Sequence, residues 1–190
     1  SIDYGYRYPG LTSVQWWAVD TDGNFVCYRS YTTVGENAAM VSRRIKEFEM
    51  DGGEWDVSRG CSKLRGPLDN SCWNNLGNIG PTIYESFYEV GVLCDKSEKD
   101  RHAAAEQFRQ RLVKRDKHPT LKNKDGTPIY CIPGIRWFNT CYSKIRSNRG
   151  AVMKVGPIIT IPVLPLDELD PDVPDSKGND HDYDSASYAC

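Results

Sequence analysis

Three aspartates sit where the chain pattern places strand ends and a terminal helix: Asp3 on an opening strand, Asp69 at the tip of a later one, and Asp184 in a C-terminal helix. Carboxylates far apart in sequence that meet at one sheet edge can hold two hard divalent cations, Mg²⁺ or Mn²⁺, which prefer oxygen ligands. Two such ions roughly 3.5–4 Å apart activate a water and stabilise the leaving 3′ oxygen of a phosphodiester. Each aspartate alone has a plainer reading as strand-end turn, cap or solvated surface, and composition does not single out these three. Other chemistries lack their residues. No GxxxxGK(S/T) phosphate loop and no GxSxG nucleophile elbow occurs. The seven cysteines are odd in number and contain no CxxC, which predicts free thiols in a reducing compartment rather than a zinc ribbon. His102, His118 and His181 are too few and too dispersed for a histidine-based metal centre.

The elements that must position these acids follow from periodicity. Segments 13–20 and 25–33 are rich in aromatic and β-branched residues and flank Asp22-Gly23, a hairpin signal. With the strand ending at Asp3, three antiparallel strands open the fold. Over 36–50, Met40, Val41, Ile45 and Phe48 recur at helical spacing, and Gly52-Gly53 ends the run. Residues 54–68, interrupted by Gly60, Gly66 and Pro67, read as a strand that stops at the turn-forming Asp69-Asn70-Ser71. Thr82 and Glu85 fit a capping box and Gly91 a C-terminal cap, giving a helix over 82–90. A short strand at 92–94 precedes an amphipathic helix over 99–114, with Ala104, Phe108 and Leu112 on one face. A strand at 129–132 and a helix at 137–146 follow. Residues 157–175 are irregular and rich in Pro and Asp. A last helix, 180–190, starts with aspartates, which a helix N-terminus favours. The order predicts an α/β layer on a mixed sheet of five or more strands flanked by helices, as one domain over 1–190.

The formal charge of −2 hides an asymmetry. Residues 99–149 hold thirteen Lys or Arg against four acids, whereas 167–184 hold eight acids against one Lys. One reading is solvated helix faces beside a flexible acidic loop. The sharper one is a phosphate-tracking surface beside a carboxylate cluster, with Arg101, Arg109, Lys114, Arg115, Arg136 and Lys144 as candidate backbone contacts. The acidic loop 165–179 would repel DNA and so restrain cutting. No apolar run approaches the roughly 18–20 residues of a membrane helix, and no charged-then-apolar leader opens the chain. The expectation is a soluble, unexported protein.

Several ordered motifs carry a resemblance. They are Gly66-Pro-Leu-Asp69-Asn-Ser-Cys-Trp73, Gly80-Pro-Thr-Ile-Tyr-Glu85, Gly91-Val92, Lys99-Asp-Arg101 and Gln110-Arg111-Leu112. Together they resemble the nuclease domain of the large terminase subunit of tailed bacteriophages. The closing run from Asp180-His181 through Asp184 to Tyr188 resembles that family's D-H-x-x-D-A-x-R-Y motif. Asp3-Tyr-Gly5, Pro9, Trp16-Trp17 and Asp22-Gly23 resemble its first strand and hairpin, and Phe138 to Cys141 with Ile145-Arg146 its late helix. The chain departs from the pattern at Ser187, where Arg is usual, and at Ser30, where Glu is frequent.

The resemblance implies a ribonuclease-H-like fold and metal-dependent endonucleolytic cutting of concatemeric viral double-stranded DNA during packaging into the capsid, with two Mg²⁺ or Mn²⁺ ions. It implies Asp3, Asp69 and Asp184 as catalytic metal ligands, Asp180 as a further ligand and His181 as an auxiliary group. It also implies an ATPase motor domain before residue 1, portal protein and small terminase subunit as partners, and the cytoplasm of the infected bacterial host as the place of action. Two other readings use the same residues. One is a different ribonuclease-H-like nuclease, such as a junction resolvase or a hybrid nuclease. The other is a non-catalytic module that docks DNA or the capsid.

Overall fold

The computed structural model describes residues 1–6, 11–75, 80–97, 100–112, 122–127, 133–146, 152–157, 166–175 and 180–190. Its centre is a mixed sheet that begins with β1 (Ile2–Asp3), β2 (Thr12–Val19) and β3 (Phe25–Thr33), paired antiparallel in that order. Asp22-Gly23 makes the predicted turn, with Gly23 at φ 76°. β2 alternates by face, as a strand with two covered sides must. Val14 and Trp16 enter one core cluster, while Ser13, Gln15 and Trp17 face the other side. The register slips between Trp16↔Arg29 and Trp17↔Cys27, so Tyr28 is the extra residue of a bulge. Tyr28 and Arg29 consequently both reach Glu54, at 2.6 Å each.

The helix α1 (Ala38–Asp51) is capped by the Asn37 side chain, which accepts from the Met40 amide. Val41 and Ile45 pack on Val14 and Trp16. A small antiparallel hairpin, β4 (Trp55–Asp56) and β5 (Cys61–Ser62), then leads into β6 (Arg65–Leu68). The expected strand over 54–68 is therefore three short ones, because Gly60 at φ 67° allows a tight reversal. β6 lies parallel to β1, with Leu68 opposite Ile2. The short helix α2 (Ile83–Val90) has both bonds of the predicted capping box, and Gly91 closes it in the left-handed region at φ 96°. A Cβ at Gly91 would collide with the Gly60 carbonyl, so the glycine also permits the hairpin to lie against this helix end. β7 (Leu93–Lys96) pairs parallel with β6.

Beyond it, α3 (Arg101–Leu112) starts where Asp100 Oδ1 accepts from the Ala103 amide. β8 (Ile135–Trp137) joins β3 in parallel and completes a six-stranded order β7-β6-β1-β2-β3-β8. Tyr142–Arg146 is a strand, β9, paired antiparallel with β10 (Val152–Pro157). The helix expected over 137–146 is thus overturned. Ile135, Trp137, Tyr142 and Ile145 favour the extended chain, and the Phe138 amide continues the β3 edge by donating to Cys27 O at 2.9 Å. The strand expected at 129–132 lies outside the described residues. Within the irregular segment, 166–175 folds back on itself, with Leu166 bridging to Pro174 and Val173 buried. The final helix α4 (His181–Ala189) packs on β1 and β2.

Helices α1 and α2 cover one face of the sheet around Val14, Trp16, Leu68 and Phe87. α3 and α4 contribute Phe108, Tyr183 and Ala186 to the other core, together with Cys27 and Ile135. The cysteines other than Cys131, which lies outside the described residues, are all free thiols. No described helix is long and apolar enough to cross a membrane.

Candidate active site

Parallel pairing places Asp3 and Asp69 side by side. The Asp69 amide donates to Ile2 O at 3.2 Å, so the two aspartates leave adjacent strands at the same sheet edge. Asp3 is 5% exposed, because its strand lies between two others and α4 covers it. Asp69 turns the chain: its Oδ1 accepts from the Ser71 amide at 2.6 Å and starts a single 3-10 turn, Asn70–Trp73.

Helix α4 supplies the third wall, and its spacing assigns two faces. His181, Asp184 and Tyr188 point toward the acids. His181 Nδ1 lies 2.6 Å from Asp3 Oδ2, and Tyr188 Oη is 3.5 Å from Asp3 Oδ1. On the sheet-facing side, Asp182 is anchored to β2. Its carboxylate accepts from Ser13 Oγ at 2.6 Å, and its backbone carbonyl accepts from Gln15 Nε2 at 2.7 Å. This buried latch fixes the rotation of α4 and thereby aims His181 and Asp184. Sequence reasoning passed over Asp182, Ser13 and Gln15. The available signal was helical spacing, which puts residue 182 on a different face from 181 and 184.

A cleft of about 400 Å³ opens beside these residues, lined by Asp69, Asn70, Ser71, Asn74, Ser97, Arg101, Ala104, Asp184, Ser187 and Tyr188. Arg101, at the start of α3, places Nη2 2.6 Å from Asp180 Oδ2 and 3.3 Å from Asp184 Oδ1. A second, more apolar cavity of about 220 Å³ is lined by Trp16, Glu49 and Cys94 together with Ser1, Ile2 and Ala189.

Burial and mutual repulsion govern the charges. Burial pushes the Asp3 carboxyl above its ordinary value, and Asp69 and Asp180 add to the push, while the bond to His181 opposes it. Burial alone would lower His181, but the bond to Asp3 and the charges of Asp3, Asp180 and Asp184 outweigh it and raise the imidazole. Asp184 is pushed up to about 7 by burial and then by Asp180, against the pull of Arg101. The charge of Asp3 adds to the same rise.

A solved structure shares this fold. The chain is similar to the P22 large terminase nuclease domain, with TM-score 0.51 and 14% identity, covering 98% of this chain and 76% of that one. A second solved structure, the large terminase nuclease from thermophilic phage G20c with bound cobalt, aligns with TM-score 0.44 and 13% identity over 99% of this chain and 77% of that one. The chain has the fold of a phage large terminase nuclease domain. That fold is ribonuclease-H-like. No family model and no curated protein matches the sequence.

On this terminase-nuclease fold, the sequence-predicted acids Asp3, Asp69, Asp180 and Asp184, with His181, gather at one edge. The donor set is all carboxylate oxygen, with Asp3 and Asp180 buried and Asp69 at the rim, which suits a hard divalent cation in type and charge. The side chains as they stand are otherwise engaged. Asp3 holds His181, Asp69 caps its turn, and Asp180 and Asp184 hold Arg101. Among the described residues, no three His, Cys, Asp or Glu stand close enough together to hold an ion in this arrangement.

The candidate DNA contacts separate. Arg101 is inside the cleft. Arg109 bonds the backbone carbonyl of Asp172 in the 166–175 segment and lies 3.9 Å from both Glu106 and Asp172 carboxylates. Arg136 pairs with Asp20 at 3.3 Å, at the far end of the sheet. Its partner across β3, Val26, faces Ala18, five residues up β2 from Ser13, or about 17 Å at roughly 3.3 Å per residue. Lys114 and Arg115 lie outside the described residues, and Lys144 falls on β9. Of the acidic segment, the described residues 166–175 lie along α3, with Asp170 3.0 Å from His102 and Asp172 beside Arg109.

Proposed function

We propose that this chain is a metal-dependent endonuclease domain of the large-terminase type, cutting double-stranded viral DNA during packaging. The observation that carries the reading is the arrival of Asp3, Asp69 and Asp184 from three separate elements at one edge of a ribonuclease-H-like sheet. Asp3, Asp69 and Asp184 would hold the ions, with Asp180 in support. Bound Mg²⁺ or Mn²⁺ would supply a water nucleophile at neutral pH and stabilise charge on the leaving oxygen. Asp69 lies at the open rim, where a phosphodiester reaches it first. Asp3, buried between strands, provides a fixed carboxylate whose orientation His181 and Tyr188 hold. Asp182 holds the helix that carries Asp184.

The wider reading follows from the same resemblance. The domain spans 1–190, a motor domain precedes it in the whole protein, portal protein and small terminase subunit are its partners, and it acts in the host cytoplasm.

Nicking of supercoiled plasmid in Mg²⁺ or Mn²⁺ tests this reading. Wild type should relax the plasmid and Asp69→Asn should not, with both proteins equally folded. Equal, negligible nicking by the two in both metals refutes the catalytic assignment. Duplex, four-way junction and RNA/DNA hybrid substrates compared side by side distinguish the terminase reading from other nucleases of this fold.

A further inference from the structure

We propose that Arg101 is the resident counter-cation of the carboxylate site and that a divalent cation enters by displacing it. The inference rests on the metal-dependent reading above and adds a gate to it. The guanidinium bridges Asp180 and Asp184 at 2.6 and 3.3 Å. It is the only cation among the described residues lining the cleft. Two buried acids one helical turn apart repel unless a positive charge lies between them, and Arg101 provides that charge.

The mobility is asymmetric. The Asp180 and Asp184 side chains are 8% and 20% exposed, on a helix latched to the sheet through Asp182, whereas the Arg101 side chain is 38% exposed. Arg101 is also the first residue of α3, whose start is fixed independently by Asp100. The guanidinium can therefore swing away from the two acids toward the mouth of the cleft by side-chain rotation, with no movement of either helix. It cannot leave by losing its proton, because arginine stays charged at any relevant pH. Displacement by a more compact, doubly charged ion is the remaining route. This accounts for the engagement of Asp180 and Asp184, two of the gathered acids. Once displaced, the same guanidinium stands at the mouth of the cleft, where a DNA phosphate would lie.

The test is calorimetric titration of Mn²⁺ into wild type, Arg101→Gln and Arg101→Lys, without DNA. Arg101→Gln should bind Mn²⁺ about tenfold more tightly, equivalent to about 1.4 kcal/mol. Arg101→Lys keeps the charge but loses the planar fork, and should fall between the two. Should the Gln variant fail to fold, the Lys variant carries the comparison. Equal or weaker binding by the variants, with wild type binding Mn²⁺, overturns the gate and leaves the metal site standing. Binding by Arg101→Gln alone supports the gate in its strongest form. No binding by any of the three overturns the metal reading and the gate together.

Discussion

Asp184→Asn should make the metal-free protein more stable at pH 8 and leave it unchanged at pH 4. Burial and Asp180 lift the Asp184 carboxyl from an ordinary 3.8 to about 7. An acid raised in the folded state binds its proton more tightly there than in the unfolded chain. Below about pH 4 both states are protonated and the group contributes nothing. Between pH 4 and 7 the folded state retains a proton that the unfolded state has released, so stability falls as pH rises. Above pH 7 the full cost is present, about 4 kcal/mol at roughly 1.4 kcal/mol per pH unit. Asparagine removes this cost but also removes the 3.3 Å contact to Arg101, which keeps its closer bond to Asp180. A net gain of about 2 kcal/mol is expected, or roughly 4–8 °C in Tm for a chain of this size. Urea unfolding in EDTA at pH 4 and pH 8 measures it. A variant equally or less stable than wild type at pH 8 would show that Arg101 already compensates the charge, and the desolvation argument would fail.

Other changes follow from single contacts. Ser13→Ala leaves the buried Asp182 carboxylate without its 2.6 Å donor and should cost about 1–3 kcal/mol; denaturant unfolding reads it, and reduced nicking should accompany it because α4 loses its latch. Gly91→Ala forces a Cβ into the Gly60 carbonyl at a positive φ and should lower stability by about 2 kcal/mol or more; wild-type Tm in that variant would show that the hairpin simply shifts away. Thr82→Ala deletes the capping box of α2 and should cost about 1 kcal/mol by the same measurement. Asp170→Asn with Asp172→Asn removes two negative charges beside His102 and Arg109, although Arg109 keeps its bond to the backbone carbonyl of residue 172, so DNA should bind more tightly in low salt, read by fluorescence anisotropy; unchanged affinity would remove this part of α3 from the DNA-binding face.

The parts of this molecule legible in sequence are those specified locally. The Asp22-Gly23 turn, the Thr82–Glu85 box and Gly91 each encode their geometry within a few residues, and the strand–hairpin–helix opening follows from them. The helix expected at 137–146 failed for the opposite reason. Its apolar residues fit either period, and strand pairing selected the extended form: Trp137 and Phe138 pair with β3, more than 100 residues earlier in the chain, and Tyr142–Arg146 pairs with β10. The site divides in the same way. Asp69 and Asp184 sit in ordered motifs and could be named. What engages them was not legible, because Arg101 meets Asp184 across a separation of 83 residues, and Asp182 meets Ser13 across 169. No spacing rule pairs such groups; only the closed sheet does. The distinction has a consequence for function. Two aspartates of α4 separated by one residue have nearly the same local sequence environment, yet Asp182 faces β2 and is satisfied by hydrogen bonds, whereas Asp184 faces other acids and is left at about 7. Burial with partners makes the first a latch. Burial against like charge makes the second a group that gains most from a cation, which is the property that the proposed chemistry requires.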